Sequence, residues 1–276
     1  MDIYICPKCS QTLKQDGVHK LVCFNCGKHY LENRGVTVFS QNKKWEENYS
    51  GAHEYYSSEK LSMLDGDEDY MSYLAPQPDS LVLDVGCGDG VYLTSTPSSC
   101  NAIGFDVSFS ALVKAASRGI PNVKWICSDD GFPLKDNSVD YVICIFVVEH
   151  LTDAQISKLL KDIRRVLNKN GKALFVTDGP FYDVYFRPLF NLVLRGFLTP
   201  LDKDPYTGHI NLMQRIKLSK ILKSENFSIS SSKVIFMGWR FLPFRFFIVA
   251  LKKLGLGSMA EYFFCSKYSI TCVNKK

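Results

Sequence analysis

Residues 81–90 read LVLDVGCGDG, a mostly apolar run that passes directly into a glycine-rich turn. The run from Leu81 to Val85 lacks the alternation of a half-exposed strand, so it predicts a strand that is buried on both faces of a sheet. Glycines permit left-handed torsions and let a ligand approach the backbone closely. A buried strand, a glycine turn and then a helix N-terminus are typical of a ligand site at the carboxyl edge of an α/β sheet.

The spacing of these glycines and two nearby acids narrow the class of ligand. Dinucleotide sites use G-x-G-x-x-G, whereas here the third glycine, Gly90, comes one residue early. The carboxylate of Asp84 would repel a pyrophosphate, but it suits the ammonium of a methionine moiety. Asp106 ends a second short apolar strand, residues 102–106, where a carboxylate can accept both hydrogen bonds from a ribose diol.

Further elements follow the pattern of an α/β sheet. Apolar runs predict strands, and apolar side chains at helical spacing predict a helix over residues 153–167. The remaining predicted strands are residues 123–127, 140–146, 172–176, 229–237 and 268–273, and a second helix is predicted over residues 214–223.

Five motifs in this region together resemble the class I S-adenosylmethionine-dependent methyltransferases, and most closely the branch that includes the ubiquinone and menaquinone C-methyltransferases. The resemblance implies an α/β fold of the Rossmann-like kind, with a doubly wound, mostly parallel, seven-stranded sheet and the cofactor at the carboxyl ends of the strands. The matching stretches are residues 82–90, 104–108, 132–140, 148–151 and 164–172.

The resemblance also implies roles for individual residues. Asp84 would orient the amino end of S-adenosylmethionine, the turn would pass under its methionine part, and Asp106 would hold the ribose. The family's adenine-binding acid falls at Ser128 in this chain, with Asp129 beside it, so which side chain meets the adenine amino group stays open. The implied cofactor residues are Asp84, Gly86, Cys87, Gly88, Asp106, Val107, Ser128, Asp129 and Asp130.

Two C-x2-C pairs near the N-terminus predict a structural zinc site. Cys6 and Cys9 form the first pair, and Cys23 and Cys26 form the second, thirteen residues later. Four thiolates at this spacing are typical of zinc ribbons, and a site filled by protein ligands leaves no position for substrate. The segment resembles the small zinc-binding activator of RNA- and protein-modifying methyltransferases, although Thr37 stands where that family has a proline.

These patterns predict three regions. Residues 1–40 form a zinc ribbon, residues 41–80 a helical connector or lid, and residues 81–276 the methyltransferase domain. Insertions over residues 180–207 and 238–266 are predicted to cap the cofactor side. Both are rich in aromatic and basic side chains, and residues 181–276 carry fifteen Lys or Arg against five Asp or Glu. Such a surface suits an anionic partner, although a solvated basic face over an aromatic core would have the same composition.

Composition sets the remaining limits. The 276 residues are 46% hydrophobic and 22% charged, which excludes disordered and fibrous chains. No uncharged apolar run approaches the roughly 18 residues of a membrane span, and no secretory signal is recognisable, so we expect a cytoplasmic location with reduced cysteines, with peripheral membrane contact as an option.

The acceptor is the least determined feature. Methyl transfer needs alignment and a route for the lost proton, and His150 and His209 are candidate bases, although a structural histidine is the commoner reading for each. We expect a small or lipid-linked acceptor, with oxygen favoured over carbon or nitrogen. RNA is the alternative substrate, and a non-catalytic scaffold is the alternative of another class. The sequence leaves the oligomeric state open.

Overall fold

The computed structural model describes residues 3–40, 69–179, 210–236, 242–257 and 265–276. The insertion 180–207, most of the connector 41–80 and parts of the insertion 238–266 lie outside these residues, as does His209. The described chain divides into two units. The first comprises residues 1–145, 158–174 and 273–276, and the second comprises residues 146–157 and 175–272.

Eleven strands are described. They are β1 (Lys14–Gln15), β2 (Lys20–Val22), β3 (His29–Asn33), β4 (Val36–Val38), β5 (Leu81–Val85), β6 (Asn101–Asp106), β7 (Val123–Cys127), β8 (Val139–Ile145), β9 (Leu167–Asp178), β10 (Phe227–Phe236) and β11 (Cys265–Asn274). The helices are α1 (Phe109–Ser117), α2 (Asp153–Val166), α3 (Arg215–Ser224) and α4 (Leu242–Lys253). Short 3-10 helices span Tyr70–Tyr73, Val91–Ser95 and Val148–His150.

The first unit is built on a sheet with strand order β1-β2-β3-β4-β7-β6-β5-β8-β9. Strand β5 is buried at all five positions, as its mostly apolar sequence predicts, and it pairs in parallel with β6 on one side and β8 on the other. The chain therefore winds away from β5 in both directions, which opens a crevice at the carboxyl end of that strand. The glycine turn begins at this point.

The second unit contains the strand order β9-β11-β10, in which β9 is shared with the first unit. Together the units contain the seven strands, β5 to β11, that the sequence predicts for residues 81–276. The predicted fold class, a mostly parallel Rossmann-like sheet, is thus confirmed.

The N-terminal strands extend this sheet, a feature that the sequence analysis did not foresee. Strands β1 to β4 pair in antiparallel fashion, and β4 then pairs in parallel with β7, with Val36 opposite Trp125 and Val38 opposite Cys127. The backbone N–H of Ile5 also donates to the carbonyl of Pro133, at 3.0 Å. The cysteine-bearing segment is therefore hydrogen-bonded to the edge of the sheet.

One predicted element differs in kind. The glycine turn is followed by a five-residue 3-10 helix, Val91–Ser95, and not by a long α-helix. Thr96 adopts an extended conformation at its end, and Pro97 follows. Because proline disfavours the α conformation in the residue before it, the helix stops after a single turn.

Candidate functional site

Asp84 lies next to the carboxyl end of β5 and is buried, with 1% of its surface exposed. Its Oδ2 atom has no hydrogen-bond partner among the described residues. Burial, and then the nearby carboxylate of Asp106, raise the pKa of Asp84 well above its ordinary value. A buried carboxyl oxygen without a partner is costly, and a bound cationic or hydrogen-bond-donating group would remove that cost.

The turn after β5 brings its backbone against the second acid. Gly86, Gly88 and Gly90 all have positive φ, at 71°, 53° and 77°, which a residue with a Cβ adopts only under strain. The N–H of Gly88 donates to Oδ2 of Asp106 at 2.9 Å, and the N–H of Ser108 donates to its Oδ1 at 2.8 Å. The carboxylate of Asp106 is therefore fixed in orientation at the end of β6.

Asp106 keeps acceptor capacity for a ligand. A carboxylate has about four lone-pair sites, of which these two backbone bonds use two. Desolvation raises the pKa of Asp106, while the N–H groups of Ser108 and Gly88 act to lower it. Its neighbour Val107 is partly exposed, and the carbonyl of Val107 accepts a hydrogen bond from Cys127 Sγ at 3.6 Å.

Cys87 is part of the glycine turn, and its side chain is buried away from solvent. Its side chain is 4% exposed, and burial, followed by the charge of Asp84, raises the pKa of its thiol well above the ordinary value. A neutral thiol in this position acts as a small apolar group.

Asp89, the acid within the glycine turn, was missed by the sequence analysis. It is 1% exposed, and its Oδ2 accepts from Arg118 Nη2 at 2.6 Å and lies 3.2 Å from Lys114 Nζ. Arg118 Nε also donates to the carbonyl of Asp89 at 2.7 Å. This clamp ties the glycine turn to the end of α1. The sequence signal was a Lys and an Arg in or just after the last turn of the helix that follows β6.

The third loop, residues 128–134, contains the three candidates for adenine contact. Ser128 is buried, and its hydroxyl donates to the carbonyl of Gly131 at 3.0 Å, within the loop. Asp130 is exposed and faces Lys158 at 3.4 Å. Asp129 is also exposed. Ser128 and Asp130 already have side-chain partners. Asp129 is the acid of this loop segment whose carboxylate has no hydrogen-bond or ion-pair partner among the described residues.

This loop is held from behind by α2. Asp162 Oδ2 accepts the N–H of Phe132 at 2.7 Å, and Arg165 donates to the carbonyls of Phe132 and Leu134 at 2.8 and 2.6 Å. Phe132 in turn packs edge-on against Phe105 of β6, with ring centroids 4.7 Å apart. The loop is therefore positioned by Asp162 and Arg165, to which the sequence analysis gave no individual role.

Comparison with known proteins fits this geometry. Residues 82–171 match a family model described as a methyltransferase domain. These residues are therefore similar in sequence to a methyltransferase domain. The match begins in β5, contains the glycine turn, Asp106 and the third loop, and ends in β9.

The relatives that this chain matches include a tRNA methyltransferase and an uncharacterised protein. A tRNA (guanine-N(7)-)-methyltransferase of Rubrobacter xylanophilus is 27% identical over 57% of this chain and 75% of its own. An uncharacterised protein of Methanocaldococcus jannaschii is 37% identical over 36% of this chain, which spans 40% of that relative's length. The chain thus spans less than half of the length of this relative, and less than a quarter of several others.

Solved structures agree with the fold of the methyltransferase domain. The structure of an S-adenosylmethionine-dependent methyltransferase from Aquifex aeolicus superposes with a TM-score of 0.54 at 16% identity, covering 81% of this chain and 97% of that one.

The residues of the methyltransferase domain fit S-adenosylmethionine. The cofactor carries a cationic sulfonium, an ammonium and a ribose diol, and the site offers the buried carboxyl of Asp84, which has an unpartnered oxygen among the described residues, and the partly exposed carboxylate of Asp106. Asp84, Asp106 and the turn between them therefore have the donor and acceptor chemistry that the cofactor needs.

Glu149 is a further buried acid, in the second unit, that the sequence analysis did not single out. It follows the carboxyl end of β8, is fully buried, and its Oε2 accepts from the hydroxyl of Thr177 at 2.9 Å, while Oε1 has no partner among the described residues. Burial, and then the charge of Asp178, raise its pKa to about 8. The sequence signal for Glu149 was an acid four residues after the end of a buried strand. The adjacent His150 is half-buried, and its backbone N–H donates to the carbonyl of Val147 at 3.0 Å.

The four N-terminal cysteines ahead of the methyltransferase domain come together as predicted. The sulfurs of Cys6, Cys9, Cys23 and Cys26 all lie within 4.8 Å of one another. The Cys6–Cys26 and Cys9–Cys23 pairs are 3.6 and 3.4 Å apart, close to the roughly 3.8 Å edge of a tetrahedron with zinc–sulfur bonds of about 2.3 Å. The cluster fits a structural zinc ion.

Proposed function

We propose that this protein is an S-adenosylmethionine-dependent methyltransferase that acts on a small or lipid-linked metabolite, with oxygen favoured over carbon or nitrogen as the accepting atom. The observation that carries the proposal is the pair of acids, Asp84 and Asp106, at the glycine turn. This turn follows β5, the strand from which the strand order runs in both directions. The proposed division of the chain is a zinc ribbon in residues 1–40, a connector in residues 41–80 and a methyltransferase region in residues 81–276. The relation to the quinone C-methyltransferase branch and the cytoplasmic location are part of the proposal too.

Each group of the cofactor has a proposed partner. Asp84 holds the ammonium end, Asp106 accepts from the ribose hydroxyls, and Asp129 is the acid available to the adenine amino group. When bound, S-adenosylmethionine supplies a methyl group on a positively charged sulfur. Asp89, clamped by Arg118, keeps the turn in the conformation that receives it.

Proton removal from the acceptor falls to groups after β8. His150 and His209 remain the candidate bases. A base whose pKa lies near the working pH accepts a proton most effectively.

Calorimetric titration tests the cofactor site. Wild-type protein loaded with zinc should bind S-adenosylmethionine and its demethylated product saturably, and Asp106→Ala and Asp84→Asn should each weaken binding at least about tenfold, the effect of losing a charge-assisted hydrogen bond. The matched control is Asp16→Asn, an exposed acid of the N-terminal segment, which should bind as wild type does. A folded wild type that binds neither compound would refute the proposal and favour a scaffold role.

RNA is the second candidate substrate. The similarity to a tRNA methyltransferase over 57% of the chain and the basic last third, residues 181–276, favour it. Binding to bulk tRNA with an affinity that falls steeply with salt, together with methyl incorporation into RNA and none into lipid extracts, would replace the metabolite proposal by this one.

A further inference from the structure

Tyr30 is the one buried residue of β3, a strand whose other four residues are exposed. Its ring packs against Phe39, with ring centroids 4.9 Å apart, and Tyr4 packs against the same Phe39 at 5.8 Å. All three side chains are buried. They form an aromatic cluster, Tyr4, Tyr30 and Phe39, that fixes the position of the Tyr30 side chain.

The hydroxyl of Tyr30 lies 3.3 Å from the Sγ atom of Cys6, one of the four clustered cysteines. This contact is buried and joins residues that are 24 positions apart in the chain. A thiolate that binds zinc has no proton and can only accept a hydrogen bond, whereas a phenol is protonated at neutral pH. With a metal in the cysteine cluster, the hydroxyl of Tyr30 is therefore the donor and the sulfur of Cys6 is the acceptor.

The negative charge of the cysteine cluster explains why such a donor is needed. Four thiolates carry four negative charges, of which a Zn²⁺ ion compensates only two. Cys9 and Cys26 are partly exposed, so water can donate hydrogen bonds to their sulfurs. Cys6 and Cys23 are completely buried, and a buried charge without a donor is costly. Tyr30 supplies a donor to Cys6 from within the protein.

We propose that Tyr30 positions and stabilises the Cys6 thiolate as a zinc ligand through this hydrogen bond, and thereby sets how tightly the cysteine cluster holds its metal. Hydrogen-bond donors to ligand atoms orient those ligands, and their loss typically lowers metal affinity by about 10- to 100-fold. This role rests on the zinc ribbon of the proposed function. A role in packing alone would require the ring of Tyr30 and not its hydroxyl, so the two roles can be separated by experiment.

Tyr30→Phe removes the hydroxyl and keeps the ring. Full-length, zinc-loaded protein is titrated with a chromophoric chelator, and the dissociation constant for zinc should rise by about 10- to 100-fold in this variant. The matched control is Tyr4→Phe, which removes a hydroxyl from the same aromatic cluster. Among the described residues the Tyr4 hydroxyl has no hydrogen bond to a cysteine, so this variant should hold zinc as wild type does.

Cobalt in place of zinc gives a spectroscopic readout of the sulfur atoms themselves. At saturating cobalt, the sulfur-to-metal charge-transfer band of Tyr30→Phe should lie at longer wavelength than that of wild type, because a thiolate without the hydrogen bond gives up an electron more readily. Tyr4→Phe should keep the wild-type band. The measurement at saturation does not depend on affinity, and near-ultraviolet circular dichroism of the same samples reports whether the aromatic cluster is folded.

The outcomes distinguish the role of Tyr30 from the proposed function. Weaker zinc binding and a shifted cobalt band in Tyr30→Phe, with neither change in Tyr4→Phe, support the role of the hydroxyl. Wild-type affinity in Tyr30→Phe, an unshifted band, or equal changes in the two variants would overturn it. Wild-type protein that binds neither metal would refute the zinc ribbon and the role of Tyr30 with it. Wild-type protein that binds zinc but not S-adenosylmethionine would refute the proposed methyltransferase activity and leave the role of Tyr30 intact.

Discussion

Replacing Glu149 by Gln should make the stability of the protein less dependent on pH. The carboxyl keeps its proton up to about pH 8 in the folded state, whereas its ordinary value is 4.5. Between these values the folded state binds more protons than the unfolded state, so the free energy of unfolding falls as the pH rises. The stability that the protonated carboxyl contributes is complete below about pH 4.5 and is lost as the pH passes through about 8.

The size of the effect follows from the two pKa values. Each unit of pKa difference corresponds to about 1.4 kcal/mol, so Glu149 by itself should reduce the free energy of unfolding by about 3 kcal/mol between pH 5 and pH 8. Glutamine has nearly the same shape and its carbonyl can still accept from Thr177, but it carries no ionisable proton. The pH-dependent part of the stability should therefore shrink by this amount in Glu149→Gln, whatever constant offset the substitution adds.

Urea unfolding of wild type and variant at pH 5, 6, 7 and 8, followed by tryptophan fluorescence and circular dichroism, measures this difference. Glu32→Gln, which changes an exposed glutamate of β3, is the matched control and should leave the wild-type profile unchanged. If the curves of wild type and Glu149→Gln run parallel across this range, Glu149 is ionised in the folded protein and the argument from burial is wrong.

Three further perturbations test other parts of the structure. Arg118→Ala leaves the buried carboxylate of Asp89 without its main partner, so we expect a loss of about 3 kcal/mol in denaturant unfolding and weaker calorimetric binding of S-adenosylmethionine. Gly104→Ala would place a Cβ 2.3 Å from the ring of the buried Trp125, and the forced displacement should cost about 2 to 3 kcal/mol and shift tryptophan fluorescence. Cys23→Ser should reduce bound zinc from one ion per chain to none in a metal assay and should increase amide exchange in β4, because zinc supplies on the order of 10 kcal/mol to comparable small sites.

Each of these predictions is checked by a control or by a result that would contradict it. Lys135→Ala, a basic residue outside the clamp, should not change cofactor binding. Normal stability of Gly104→Ala would show that the Trp125 ring does not lie across β6. Full zinc content in Cys23→Ser would show that this thiolate is not a ligand.

The sequence was most informative where one physical requirement is met by consecutive residues. Strand β5 is apolar at four of its five positions because both of its faces are buried, and glycines occupy the positive-φ positions of the turn because those torsions disfavour side chains. The two C-x2-C pairs were equally readable, since metal ligation needs fixed ligand spacing. These local signals gave the seven strands, the cofactor turn and the cysteine cluster.

Contacts between distant parts of the chain could not be read in the same way. That β4 adds to the sheet beside β7, joining the cysteine segment to the domain, depends on backbone hydrogen bonds that carry no residue signature. The clamp between Asp89 and Arg118 and the buried acid Glu149 were likewise missed, because the sequence shows that an acid is present and not whether it is buried.

The sequence alone thus determined the fold class, the position of the glycine turn and the four cysteines that cluster, because each depends on short-range periodicity or spacing. Only the tertiary structure decided which acids are desolvated and which are neutralised by a cation. Those properties arise from packing between segments far apart in the chain, and packing sets the local dielectric and thereby the protonation of Asp84, Asp106 and Glu149.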